Sequence, residues 1–188
     1  MTDLRDRLRD LPSFPGDLAI LDPDAVPGDP LELFRSWLDD AIASGERQPH
    51  AMTVTTIDDN GRASHRTLIV KDVDERGIQV SSSRSSRKGA HLAERPWAGM
   101  LFFWRELGRQ VELTGPVTAL PAEESAADWR ERPSYDGVDN PDWQVWTLAP
   151  TRAEFLQATH DRRHTRVEYV RDGETWTHRP LRASEAVR

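Results

Sequence analysis

From residue 31 onward apolar positions recur at helical spacing, with Leu31, Phe34, Trp37, Leu38, Ala41 and Ile42 on one face. Asp29-Pro30 ahead of them supplies an N-cap and a proline at the first helical position, and Ser44-Gly45 stops the run. The period then changes. Ala51–Ile57 and Ala63–Lys71 are β-rich runs joined through Asp58-Asp59-Asn60-Gly61, whose Asn-Gly pair offers the positive φ angles of a tight hairpin. Glu75-Arg76-Gly77 turns the chain into a short strand near Ile78–Ser82. Ser85 or Ser86 then caps a short helix through Glu94, which Pro96 closes. Ala98–Trp104 and Gln110–Leu120 read as strands about a Leu107-Gly108 turn, and Pro121 opens a helix to about Arg132. Pro133–Asp142 reads as a loop. After Trp143–Leu148, Thr151 is expected to cap another short helix, and Val167–Val170 to pair with Thr175–Thr177 across Asp172-Gly173. Residues 1–29, with Pro12, Pro15, Pro23 and Pro27 among acidic residues, read as a short helical start and an irregular arm. Strands joined mainly by hairpins predict a mainly β fold, an antiparallel barrel with peripheral helices, in a single domain over residues 30–188.

Composition narrows the function classes. The 188 residues include no cysteine, which removes disulfide frameworks, thiolate metal sites and cysteine nucleophiles together. A formal charge of −7 argues against a general nucleic-acid binder, because phosphate-backbone affinity needs clustered Lys and Arg. No apolar run reaches the length of a membrane span. The start, Met1-Thr2-Asp3-Leu4-Arg5-Asp6, lacks the pattern of a secretory signal, so a cytoplasmic location is expected. His160 and His164 lie four apart, as on one helix face, but no third ligand stands at zinc spacing and no metal site is expected.

One stretch departs from the acidic background. Ser81 to Arg95 carries Arg84, Arg87, Lys88 and Arg95 against Glu94 alone. Its Ser81-Ser82-Ser83-Arg84-Ser85-Ser86-Arg87-Lys88-Gly89 run combines hydroxyls, a helix N-terminus and cations, all suited to a phosphate dianion. The plainer reading is a solvated loop. A second signal is Arg66-Thr67-Leu68-Ile69-Val70-Lys71, a β-rich run with a cation at each end. On a regular strand those ends lie about 17 Å apart and point to opposite faces. They flank an elongated ligand only where a twist or bulge re-aims one end; otherwise they are snorkelling edge residues.

Arg66–Lys71, Ser81-Ser82, Ser86-Arg87-Lys88-Gly89 and Trp104-Arg105-Glu106-Leu107-Gly108-Arg109-Gln110-Val111 together resemble, in order and spacing, the core of the pyridoxamine 5′-phosphate oxidase family. Pro49-His50-Ala51-Met52 and Arg162-Arg163-His164-Thr165-Arg166 extend the resemblance. It implies a split β-barrel that binds flavin mononucleotide (FMN) at the interface of a homodimer. By the resemblance Arg66, Thr67, Leu68, Ile69, Val70, Lys71, Ser81, Ser82, Arg87 and Lys88 would hold the FMN phosphate and ribityl chain. Gln110 would reach the polar edge of the ring, and Arg166 would contact it from the other subunit. Lys71, Arg132, Arg162 and His164 match substrate-binding positions, with Arg162 and His164 nearest the chemistry. The implied reaction is oxidation of pyridoxine or pyridoxamine 5′-phosphate to pyridoxal 5′-phosphate, with hydride passing to the flavin and dioxygen as acceptor.

Three departures bear on the substrate. Asp128 replaces the family's tyrosine four residues before the Arg132 match, Leu156 replaces a flavin-contacting tryptophan, and the segment between Arg132 and Trp143 is short. At i, i+4 spacing Asp128 is expected to pair with Arg132 and to repel a substrate phosphate. Two other readings therefore stand beside the oxidase: a split-barrel enzyme using FMN or a deazaflavin on another small substrate, and a non-catalytic FMN-binding protein.

Overall fold

The computed structural model describes residues 3–12, 14 and 16–181. After α1 (Leu4–Arg9) and the arm, α2 (Pro30–Ala43) begins where Asp29 accepts a hydrogen bond from the Leu31 amide at 2.8 Å. Its buried face is Leu31, Leu33, Phe34, Trp37 and Ala41. Ile42, expected on that face, is exposed instead.

The strands are β1 (Ala51–Ile57), β2 (Ala63–Ile69), β3 (Asp72–Asp74), β4 (Gly77–Ser83), β5 (Trp97–Trp104), β6 (Arg109–Ala119), β7 (Trp143–Leu148), β8 (Arg152–Gln157), β9 (Thr165–Asp172) and β10 (Thr175–Pro180). Two helices interrupt them, α3 (Arg87–Glu94) and α4 (Ala122–Arg130). Every pairing is antiparallel. The main sheet runs β10-β9-β8-β6-β5-β1-β2, while β4 joins β3 to β7 and β7 returns to β6. The mainly β split barrel expected from the sequence is the observed fold.

The split lies within β6. Its residues Arg109–Thr114 pair with β8, and Val117–Ala119 pair with β7. Between them the β7–β8 connection crosses over Gly115, where a Cβ would run into the Ala149 carbonyl. Only glycine fits this close approach of two backbones.

The inward positions of the main sheet build the core: Met52 and Val54, Met100 and Phe102, Val111 and Leu113, Phe155, and Val167 and Tyr169. The opposite face stays open, with Trp97 49% and Phe103 50% exposed. It carries a charged lattice in which Arg152 binds Glu168 at 2.8 Å and Glu154 at 3.3 Å, and Arg179 binds Glu168 at 3.0 Å.

Three expectations are corrected. Thr151 does not cap a helix: residues Arg152–Gln157 form β8, burying Ala153, Phe155 and Gln157 at period two. A helix there would leave the Arg109–Thr114 edge of β6 unpaired, whereas a strand satisfies it. His160 and His164 lie on the β8–β9 connection and not on a helix. The second strand ends at Ile69, short of Lys71: the Val70 amide bonds His50 O of the β1 side, and the Lys71 amide bonds Gln79 O of β4. The backbone thus changes partners between residues 70 and 71, and β3 follows.

The arm lies against the barrel. Tyr169 donates to Pro27 O at 2.8 Å, His160 Nε2 lies 2.9 Å from Gly16 O, and the Phe14 ring meets His164 edge-on. Gly108, at φ 60°, leaves room for Leu18.

Candidate active site

Arg66 sits on β2 with its side chain on the core side, the same face as its partner Val54. One guanidinium nitrogen donates to Val54 O at 3.0 Å and Thr56 Oγ1 at 2.8 Å, the other to Ser64 Oγ at 2.9 Å. Thr56 Oγ1 is also 3.0 Å from His91 Nδ1 of α3. Thr56, Ser64 and His91 were missed at sequence level. Their signal is parity, because Thr56, Ser64 and Arg66 face the same way on paired strands.

Ser86 caps α3 by accepting from the Gly89 amide, and Lys88 Nζ lies 3.3 Å from the same hydroxyl. A Cβ at Gly89 would strike the Ser83 and Arg84 carbonyls, so glycine lets the helix start press against its own loop. Thr56, Ser82 and Lys88 line one small interior cavity. Ser81 and Ser82 are buried on β4. Arg87 stands close enough to Arg66 to depress its pKa, after burial; Lys88 is likewise depressed by burial and then by Arg66. Among the described residues Arg66, Arg87 and Lys88 form no ion pair with a carboxylate. Three cations held together without an acid, beside a capped helix N-terminus, fit a phosphate dianion.

The rest of the Arg66–Lys71 run divides by face. Leu68 and Val70 pack against the core, and Thr67 and Ile69 are exposed on the outer side. Lys71 leaves the strand and pairs with Asp128 of α4 at 3.0 Å. The other Asp128 oxygen accepts from Trp143 Nε1 at 2.7 Å. Burial raises the Asp128 pKa, but the Trp143 and Lys71 contacts outweigh it and hold the carboxyl below its usual range. The expected Asp128–Arg132 pair does not form. α4 ends at Arg130, so Arg132 no longer stands one helical turn from Asp128. Arg132 lies instead against a pair of contacting indoles, its guanidinium carbon 5.0 Å from the Trp129 ring centre and 4.3 Å from that of Trp143, with the two ring centres 5.2 Å apart.

The short 133–142 loop folds back on α4 through Trp129 Nε1 to Val138 O and an Arg130–Asp139 pair. Its end is pinned to the loop before α3, since Asp142 accepts from the Ser83 and Ser85 hydroxyls.

A second row crosses the open face. Strand register aligns Phe103, Gln110, Leu156 and Arg166 on β5, β6, β8 and β9. Arg166 pairs with Glu154 at 3.4 Å. Five strand steps separate β9 from β2, about 24 Å along the sheet. Arg166 therefore stands far from the Arg66 cluster along the sheet of its own chain, while Gln110, on β6, is three steps from β2. His164 Nδ1 accepts the Thr159 amide at 3.1 Å, so the ring proton sits on Nε2. Burial, then Arg166, lower its pKa. Arg162 is exposed in the left-handed region at φ 63°. No three metal-ligating side chains converge, and no helix is long and apolar enough to cross a membrane, among the described residues.

Residues 38–157 match the family model described as pyridoxamine 5′-phosphate oxidase. The chain belongs to the pyridoxamine 5′-phosphate oxidase family. Within that family, residues 143–182, covering β7 to β10, match the pyridoxine 5′-phosphate oxidase C-terminal dimerisation region. A pyridoxine/pyridoxamine 5′-phosphate oxidase of Ectopseudomonas mendocina (strain ymp) is 34% identical, over 83% of this chain and 89% of its own length. Among solved structures, PhzG from Burkholderia lata 383, in complex with tetrahydrophenazine-1-carboxylic acid, has a TM-score of 0.82 at 29% identity, covering 89% of this chain and all of that one. A pyridoxamine 5′-phosphate oxidase-related, FMN binding protein from Nostoc punctiforme PCC 73102 shares the fold, with a TM-score of 0.68 at 17% identity over 79% of this chain and 96% of its own.

Proposed function

We propose that this member of the pyridoxamine 5′-phosphate oxidase family is a homodimeric FMN-dependent oxidase of a small organic substrate. The observation that carries the reading is the acid-free cluster of Arg66, Arg87 and Lys88 at the start of α3. Arg66, Lys88 and the Ser82 hydroxyl would hold the FMN phosphate and its neighbouring chain, while Ser81, the next residue on the strand, faces Asp128. The backbone of Thr67 to Val70 lies alongside. Gln110 would face the polar edge of the flavin ring, and Arg166 would reach it from the partner subunit, a reading that the strand separation between β2 and β9 supports.

When bound there, FMN would supply the two-electron chemistry of the oxidation, with dioxygen as final acceptor. The chain's own groups position the substrate. His164 is neutral and offers its Nε2–H as a donor, while Arg162 adds a positive charge beside it. The match of residues 143–182 to a dimerisation region supports the twofold assembly.

The E. mendocina relative is named for oxidation of pyridoxine or pyridoxamine 5′-phosphate, and that substrate is the first to test. The Lys71–Asp128 pair favours a second reading, a substrate without a phosphate, since it neutralises a cation the phosphate would use. The B. lata neighbour in complex with a tricyclic carboxylic acid supports that direction. The deciding experiment mixes FMN-loaded protein with pyridoxamine 5′-phosphate without oxygen and follows flavin absorbance. Bleaching establishes the B6 activity. An intact yellow spectrum, with FMN tightly bound, leaves the non-phosphorylated substrate.

A further inference from the structure

Beyond the cofactor site, one cluster is built for an anion yet carries its own counter-charge. Lys71 and Asp128 are 3.0 Å apart and both largely sequestered from solvent. The two Asp128 oxygens are committed, one to Lys71 and the other to Trp143 Nε1. This carboxylate therefore stays in place and charged. Trp143 then turns its ring face to Arg132, 4.3 Å from the guanidinium carbon, and Trp129, packed against Trp143 at 5.2 Å, adds a second ring 5.0 Å from it. Arg132 forms no ion pair among the described residues, and its Nε is buried without a hydrogen-bond partner. Trp143 thus ties together two cations and one anion. One positive charge is left over, and it belongs to a planar fork.

We infer that Lys71, Asp128, Arg132, Trp129 and Trp143 form a substrate subsite selective for the monoanionic carboxylate of a planar aromatic acid over a phosphate dianion. A guanidinium pairs with a carboxylate through two parallel N–H···O bonds, which a single net charge balances. A dianion gains from Arg132 as well but is placed beside the fixed Asp128 carboxylate, and like-charge juxtaposition without relief is costly. The two partly exposed indoles supply apolar surface next to the fork for a flat ring. Asp128 is in this view the specificity-determining residue: it sets the charge of the subsite through Lys71.

The inference rests on the oxidase reading for the word substrate, but its test does not depend on flavin chemistry. 1-Naphthoate and 1-naphthyl phosphate share a ring and differ in the anionic group. Each is titrated calorimetrically at pH 8 into FMN-loaded protein and into the Arg66→Ala/Lys88→Ala variant, so that the phosphate cluster does not take up the probe, and FMN affinity is measured separately by fluorescence quenching. Wild-type protein is expected to bind naphthoate at least about tenfold more tightly than naphthyl phosphate. Asp128→Asn, which keeps an acceptor for Trp143, shifts that ratio toward the phosphate by about tenfold or more, and Arg132→Met loses most naphthoate affinity. Circular dichroism and the FMN titration verify that each variant is folded. Equal or tighter binding of the phosphate by wild-type protein overturns the inference. So does binding of neither probe, or an unchanged ratio in folded Asp128→Asn. If FMN does not bind while naphthoate is preferred, the cofactor reading fails and the subsite stands.

Discussion

Arg66 is aimed by three oxygens, from Val54, Thr56 and Ser64, before any ligand arrives, so it loses little freedom on binding a phosphate. Arg66→Ala and Lys88→Ala are each expected to weaken FMN binding by about 1.5–3 kcal/mol, the range for hydrogen bonds to charged groups. Flavin fluorescence titration reads this directly, and unchanged affinity in the double variant would show the phosphate is held elsewhere. His164 gives a residue-scale pH prediction. Its folded pKa is lowered, so the neutral ring contributes stability that is complete above the unfolded value of about 6.5 and lost as pH falls from there toward the folded value. His164→Gln should flatten the thermal-melt dependence in that window alone. At this scale the cations were legible in the sequence because they cluster along it. The Lys71–Asp128 contact was not, because it joins a strand end to a helix distant in sequence, although Pro133, which disfavours helical backbone at Arg132, is a local signal that α4 stops before it. The end of α4 at Arg130 decides whether Asp128 meets Arg132.

Among the elements, β6 has the most demanding role, belonging to the barrel by one half and to the β8–β10 extension by the other. Gly115 marks the change, and its lack of a side chain lets the β7–β8 connection pass. Gly115→Val must push Ala149 aside, and overpacking of this kind costs about 1–3 kcal/mol or more. A urea unfolding midpoint lowered accordingly, with the slope unchanged, is the expected outcome; an unaltered midpoint would mean that the crossing yields easily. Hairpins with explicit turn residues, such as β1–β2 through Asn60-Gly61, were legible from the sequence, although of that pair only Gly61 takes a positive φ, 79°. β8 was not, because Thr151 followed by Arg152 and Ala153 imitates a helix start. What makes it a strand is the vacant edge of β6, a demand set by the tertiary structure. β3 was missed for a related reason: three residues carry no periodicity, and only the partner change at residues 70 and 71 creates it.

The whole molecule adds two expectations. Asp128, Asp142 and Glu168 are all held below the usual carboxylate range by hydrogen bonds and neighbouring cations that outweigh burial where it opposes them. Their contribution to stability is present above about pH 4 and disappears as pH falls through the lowered folded values. Acid unfolding should therefore be steep below about pH 4, and circular dichroism against pH measures it. In assembly, light scattering of FMN-loaded protein should give a twofold dimer; a monomer binding flavin tightly would contradict the shared site. The separation of Arg66 and Arg166 across five strand steps then has a genetic consequence. Two defective copies, one Arg66→Ala and the other Arg166→Ala, concentrate both lesions in one site of a mixed dimer and leave the second site whole. Co-expressed in equal amounts, such alleles should complement each other, restoring about a quarter of all sites when subunits pair at random.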